Sequence, residues 1–451
     1  MQETFNMTRG SISKVMTRFA VPVLIGNLFQ QLYNTADSMI VGNTLGKEAL
    51  AGVTSTGSLI YLIIGLFYGL AMGAGTVISR FIGARDDEAT GKAVHTTVAL
   101  GLVCGIVVSV AGSLMAETML RWMGSPEDVR PISTRYLRIY FAGGFFVVMY
   151  DMFVGILQAT GDSRHPLYYL AASSVINIVL DLLFIRVFDM DVEGAAIATV
   201  ISQAFSAFMA GAKLLRSRDA TRLRIRRIGF DRETCKLVLR YGLPTGAQGA
   251  VIDFSNVLIQ TFINSFGKIA MGGFGAYSRI EGFIFLPVTA FQMATATFVS
   301  QNIGANEFER ARKGIFFGVG TTMVLSEIIG LIVTLFCRPI LSWFNTDAEV
   351  IRYGMMRGVV CAPFMLLPAY AHAMSAVMRG IGKPVTPMVV LLSCWCAVRV
   401  AVLFTVGKVW HDPRLVCWIY PFTWTLSTIV YTVYAVKLTK QLPWLKRGKT
   451  L

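Results

Sequence analysis

Val77-Ile78-Ser79-Arg80-Phe81-Ile82-Gly83-Ala84 meets a relative 221 residues further on, Phe298-Val299-Ser300-Gln301-Asn302-Ile303-Gly304-Ala305, with Ser79 on Ser300 and Gly83 on Gly304. The same shift carries Leu45-Gly46-Lys47-Glu48-Ala49 onto Phe266-Gly267-Lys268-Ile269-Ala270, Leu120 and Trp122 onto Leu341 and Trp343, and Gly161 and Pro166 onto Gly382 and Pro387. Pro22 and Pro244 align one residue later, at 222. One offset recurring across separated segments marks an internal duplication.

Both copies are apolar. The 451 residues are 54% hydrophobic and only 15% charged, with mean hydropathy +0.59, against about 25% charged in a soluble domain. Thirty Phe, fifteen Tyr and seven Trp exclude a disordered chain. The apolar runs are continuous rather than alternating, which excludes a membrane β-barrel and leaves an all-α polytopic membrane protein. A bilayer requires about 20 apolar residues per helix. Twelve such spans fit, near 17–41, 51–78, 94–116, 132–156, 166–188, 193–214, 238–265, 273–299, 314–336, 353–378, 385–407 and 414–437.

Six spans per copy is an even number, so the two copies cross the membrane in the same sense and form a parallel repeat. The expected organisation is an N-lobe over 1–215, a basic linker over 216–236 and a C-lobe over 237–451, enclosing a central cavity. The formal charge of +15 follows from topology: with the N-terminus inside, 27 of the 41 Lys and Arg residues fall in cytoplasmic segments. Both termini and the linker are then cytoplasmic, and no nucleic-acid partner is needed to explain the charge. The partners expected are the lipid bilayer and a small organic molecule, with the protein a monomer. The seven cysteines form no CxxC pair and read as packing residues. The N-terminal segment carries no cleavage-site pattern and reads as part of the mature chain. No P-loop is present, so ATP is not expected to drive the protein directly.

Polar groups inside spans are costly and point to function. The first span carries Asn27, Gln30, Asn34 and Asp37 on one helical stripe, the fifth carries Asn177 and Asp181 four residues apart, and the sixth adds Thr199. Asp37 lies about one turn, and Asp181 and Thr199 about two turns, from the outer ends of their spans, so all three occupy one layer. Two carboxylates at one depth must share a proton or a cation, and the hard oxygens of Asp37, Asn177, Asp181 and Thr199 suit Na+. The competing reading is a set of bundle-facing groups satisfied by interhelical hydrogen bonds. The second copy replaces Asp37 by Leu258, Asn177 by Val398 and Asp181 by Val402. It carries instead Asp253, Asn256 and Gln260 in the seventh span and Arg279 and Glu281 in the eighth. With Gln30 and Asn34, the residues Asp253, Asn256, Gln260 and Glu281 are candidates for lining the cavity. Arg279 and Glu281, two apart, should pair with other spans. Asp151 and His372, equivalent under the repeat, read as solvated boundary residues, and Glu327 and Arg399 as a structural pair.

Asp37, the run Asn177-Ile178-Val179-Leu180-Asp181-Leu182-Leu183-Phe184-Ile185, the Ser79 to Ala84 segment and Gly161-Asp162 with Pro166 resemble the multidrug and toxic compound extrusion (MATE) family, in its bacterial branches. The resemblance spans about residues 10–440. It implies alternating-access export of organic, commonly cationic compounds in exchange for Na+ or H+, with no further cofactor, from the bacterial inner membrane. The family's N-lobe cation site maps onto Asp37, Asn177, Asp181 and Thr199, and Asp253 is the nearest match to an acidic residue that some members use in the seventh span. A flippase for lipid-linked oligosaccharide or a peptidoglycan precursor, from the same superfamily, is the nearest alternative. It is disfavoured because only Arg279 and Arg399 read as cations inside the membrane, the others, Arg357 among them, counting with the ends of spans. A membrane-embedded enzyme or receptor is a weaker one, since no HExxH or Ser-His arrangement occurs.

Overall fold

A computed structural model describes residues 7–125 and 127–445, the side chains at 47, 48, 50, 51, 55 and 443 excepted. The basic residues at 446, 447 and 449 that enter the charge asymmetry lie outside the described residues. Within the described residues the regular structure is all helical: twelve rods, with a short helix, Cys337–Ser342, between the ninth and tenth. These are α1 (Ile12–Thr44), α2 (Lys47–Ala84), α3 (Asp87–Trp122), α4 (Arg130–Ala142 with Gly144–Ala159), α5 (Arg164–Leu182, continued by Leu183–Val187) and α6 (Val192–Leu215). The second set is α7 (Arg232–Asn264), α8 (Lys268–Gly304), α9 (Phe308–Leu335), α10 (Ala348–Cys361 with Leu366–Gly380), α11 (Val385–Val409, with a wide π turn over Leu392–Ala397) and α12 (Pro413–Gln441).

The duplication is written in the backbone. Gly46 and Gly267 begin α2 and α8 with φ of 90° and 89°, Arg85 and Asn306 follow the same helices at 55° and 58°, and Gly161 and Gly382 turn at 90° and 98°. Each pair is separated by the 221-residue offset. An added Cβ at Gly46 or Gly267 would meet nothing within 4 Å, so glycine is required there by the left-handed conformation and not by space. Ser79 Oγ donates to Ala159 O at 3.3 Å, and its counterpart Ser300 donates to Gly380 O at 3.5 Å. The rods α4 and α10 bend by 48° and 53° at equivalent places, Gly143 and the Ala362–Met365 step.

The chain divides into two compact units. Among the described residues the first comprises Ile25–Gly246, and the second Met7–Leu24 with the chain from Ala247 onward. The division of α1 and of α7 falls two residues beyond Pro22 and Pro244 respectively. Side-chain bonds explain the assignment of the N-terminal segment to the second unit. Met7 N–H donates to Gln301 Oε1 at 3.1 Å, while Arg310 donates to the carbonyls of Met7, Arg9 and Gly10.

Within the first unit, Gly69 and Gly73 on α2 face Gly246 and Gly242 on α7, where a Cβ would fall on backbone atoms. Two Gly-x-x-x-Gly faces thus let main chains touch, the packing that replaces hydrophobic burial between helices in lipid. The linker is ordered. Leu223 is buried, residues 225–227 form a 3₁₀ turn, Arg224 N–H donates to His95 Nε2 at 3.0 Å and Asp231 N–H to Thr96 Oγ1 at 3.2 Å.

Candidate cation-coupling site

In the first unit α1, α5 and α6 bring four polar side chains out of solvent. Asp37 is 8% exposed, Asn177 and Asp181 are fully buried, and Thr199 is 3% exposed. Asp181 ends the regular part of α5, immediately before the π turn Leu183–Val187. Such a widened turn resets the helical phase and recurs at functional sites. The carboxyls of Asp37 and Asp181 lie close enough to interact with one another. The Asn177 amide lies 3.4 Å from Thr199 Oγ1. In the orientation that satisfies both its ends, Asn177 donates to Asp181 Oδ2 at 3.0 Å and accepts from Thr199 N–H at 3.3 Å. One oxygen of each carboxyl, Asp37 Oδ1 and Asp181 Oδ1, is buried with no partner among the described residues. Buried carboxyl oxygens are costly to leave unmet, so these two point to an exchangeable proton or a cation.

Two tyrosines complete the site that reasoning from the sequence left out. Tyr33 lies close to Thr199 and to both carboxyls, and Tyr136 interacts with the same pair. Tyr33 is four residues before Asp37, hence on its face of α1, and that spacing was the available signal.

The other candidates are not part of this cluster. Gln30 is exposed and Asn34 half-buried. In the second unit Asp253 is half-buried and Asn256 exposed, while Gln260, also exposed, bonds along its own helix to Asn264 at 2.9 Å. Glu281 is held by Arg357 of α10, Nη2 to Oε2 2.6 Å. Arg357, which by position in the sequence counts with the outer end of its span, is 4% exposed in the core of the second unit. The expected pair of Glu327 and Arg399 does not form. The bend in α10 frees Leu366 N–H from helical bonding and Glu327 accepts it at 2.8 Å, while Arg399 donates to Thr423 at 2.9 Å. His372, expected at a solvated boundary, packs edge-on to Phe285 and Trp395 at 5.6 and 5.5 Å between ring centres.

A family profile matches each half of the chain separately: MatE covers residues 22–183 and again 244–405. The chain belongs to the MATE family. Among its relatives, the probable multidrug resistance protein YoeA of Bacillus subtilis (strain 168) is 30% identical over 96% of this chain and 95% of its own length. The probable multidrug resistance protein YpnP of the same organism is 28% identical over 87% and 88%. A solved structure described as the outward-facing conformation of a multidrug resistance MATE family transporter superposes with a TM-score of 0.92 at 23% identity, over 100% of both chains. The twelve-helix, two-lobe arrangement is therefore the MATE fold, and this MATE protein is a multi-pass membrane transporter of small molecules rather than an enzyme.

Proposed function

We propose that this MATE protein is a secondary antiporter. It would export organic, often cationic compounds across the bacterial inner membrane, driven by a cation that enters at Asp37 and Asp181. The observation that carries this reading is a pair of buried, interacting carboxyls with an unpartnered oxygen on each. Two carboxyls in a dry site are relieved of their repulsion when one of them holds a proton, which makes H+ a fitting coupling ion. The oxygens of Asn177 and Thr199 complete a donor set that would equally accept Na+ once that proton has left.

In this reading the protonated pair is drawn together, holding α1 against α5 and α6. Loss of the proton leaves two like charges in a dry site, so the helices must separate or take up another cation. Substrate and coupling ion act on one conformational equilibrium, so each weakens the other's binding by the same factor. The Lys and Arg distribution supports both termini and the linker in the cytoplasm. Protease added outside intact cells should then leave the linker uncut.

The deciding experiment is efflux of an organic cation from proteoliposomes under an imposed pH gradient, and separately under a Na+ gradient. Asp37→Asn is close to isosteric and should abolish gradient-driven efflux while melting near the parent temperature. Full coupled efflux by folded Asp37→Asn would remove the site from the mechanism. Efflux under the Na+ gradient alone would assign the site to Na+.

A further inference from the structure

In the second unit two guanidinium groups converge on one aromatic ring. Arg357 and Arg399 each place the guanidinium carbon 4.5 Å from the centre of Tyr420. Arg357 is satisfied on two sides, by Glu281 at 2.6 Å and Ser278 Oγ at 2.8 Å. Arg399 is 1% exposed and gives one bond, from Nη2 to Thr423 Oγ1 at 2.9 Å. The Nε–H groups of both arginines are buried with no partner among the described residues. One patch therefore holds two cations and a single carboxylate. A guanidinium does not shed its proton in a protein, so the excess positive charge stays, at membrane depth, where such charge calls for a counter-ion.

The location of the patch is informative. Under the 221-residue offset Tyr420 corresponds to Thr199, Arg357 to Tyr136, and Arg399 to Ile178, the neighbour of Asn177. By sequence position the patch thus falls near the counterparts of the carboxyl pair, although α11 widens over Leu392–Ala397, ahead of Arg399, whereas α5 widens over Leu183–Val187, behind Asp181. Neighbouring positions of the repeat carry surplus carboxylate in one copy and surplus guanidinium in the other.

We propose that Arg399, with Thr423 orienting its guanidinium, anchors a binding site for a small inorganic anion of the halide class, with chloride the natural occupant. It is the charge-inverted counterpart of the carboxyl site. The anion is received by the unpartnered Nε–H of Arg399 and neutralises the charge that Glu281 leaves uncompensated. This does not depend on which cation the first unit takes.

The test is thermal melting of the purified full-length protein in chloride, bromide and gluconate, at equal sodium concentration and ionic strength so that cation binding is constant. Chloride and bromide should raise the melting temperature by several degrees over gluconate, a bulky organic anion outside the halide class. Arg399→Gln should abolish the difference, and Arg338→Gln, at an exposed position, should keep it. If Arg399→Gln does not fold, Thr423→Val, which removes only the orienting hydroxyl, should shrink the anion-dependent shift. Identical melting in the three salts overturns the proposal. So does a chloride effect that survives in Arg399→Gln or, where that variant cannot be made, is undiminished in Thr423→Val.

Discussion

Replacing Glu281 by Gln removes the only carboxylate bonded to Arg357 among the described residues while keeping size and one carbonyl acceptor. The pair is close, 2.6 Å, and its side chains are 4% and 13% exposed, so solvent screens it little. With charge centres about 4 Å apart and an effective dielectric of about 20, the attraction is about 4 kcal/mol. That agrees with the roughly 3–5 kcal/mol lost when one partner of a buried pair is deleted and the other is stranded. Arg357 cannot discharge itself, so Glu281→Gln should be the costly single change. Arg357→Met removes the cation and leaves a carboxylate, which can be neutralised by taking up a proton. The double variant Glu281→Gln with Arg357→Met should recover much of the loss, because no stranded charge remains. Unfolding in a denaturing detergent series, read for all four proteins, gives the cycle. A coupling energy below about 0.5 kcal/mol, the range for independent sites, would refute the claim that the pair matters. So would a Glu281→Gln protein as stable as the parent.

Gly73→Ala places a methyl on the backbone of Gly242. Neither main chain can yield as a flexible side chain would, so overpacking of about 1–3 kcal/mol should outweigh the gain of about 1 kcal/mol in helix propensity. A Gly73→Ala protein that melts at or above the parent temperature would show that α2 and α7 do not pack at this face. His95→Ala removes the acceptor for Arg224 N–H. It should speed tryptic cleavage at the exposed residues Arg224, Arg226 and Arg227 without changing the global melt, and an unchanged cleavage rate would show that His95 does not hold the linker.

The spans were legible because apolar length is a one-dimensional property, and twelve runs became twelve rods. Bends were less so. In α4 the break falls at Gly143 and in α10 at Ala362–Met365, interruptions too short to break an apolar run. The carboxyl site was legible because Asp37, Asn177 and Asp181 are conspicuous in hydrocarbon. Tyr33 and Tyr136 were not, since a tyrosine in a span is ordinarily packing. Arg357 misled for a related reason. Near the outer end of a span a cation reads as a loop residue, and its burial depends on Glu281, which lies on a different rod. The assignment of Met7–Leu24 to the second unit rests on bonds to Gln301 and Arg310, partners about three hundred residues away that no local pattern announces.

What the duplication preserved and what it released follow different physics. Gly46 with Gly267, Gly161 with Gly382, and Ser79 with Ser300 keep their conformations or bonds across 221 residues. A positive φ or a bond between rods fixes how helices join, and an error there misplaces every side chain downstream. The face that α5 and α6 share, and that α11 and α12 share in the other copy, carries no such restriction. Thr199 and Tyr420, Tyr136 and Arg357, and Ile178 and Arg399 correspond under the offset, and each charge gained on one side requires compensation. Glu281, which corresponds to the apolar Ile60, supplies part of it. The aromatic faces of Tyr420 and Trp395, 4.5 and 5.8 Å from Arg399, supply more. A carboxyl pair can relieve its own repulsion by holding a proton, whereas an arginine patch has no such outlet. The two copies therefore differ in kind: the proposed coupling site is built of groups that can take up or lose a proton, while the arginine patch keeps its charge and can change only through what binds it.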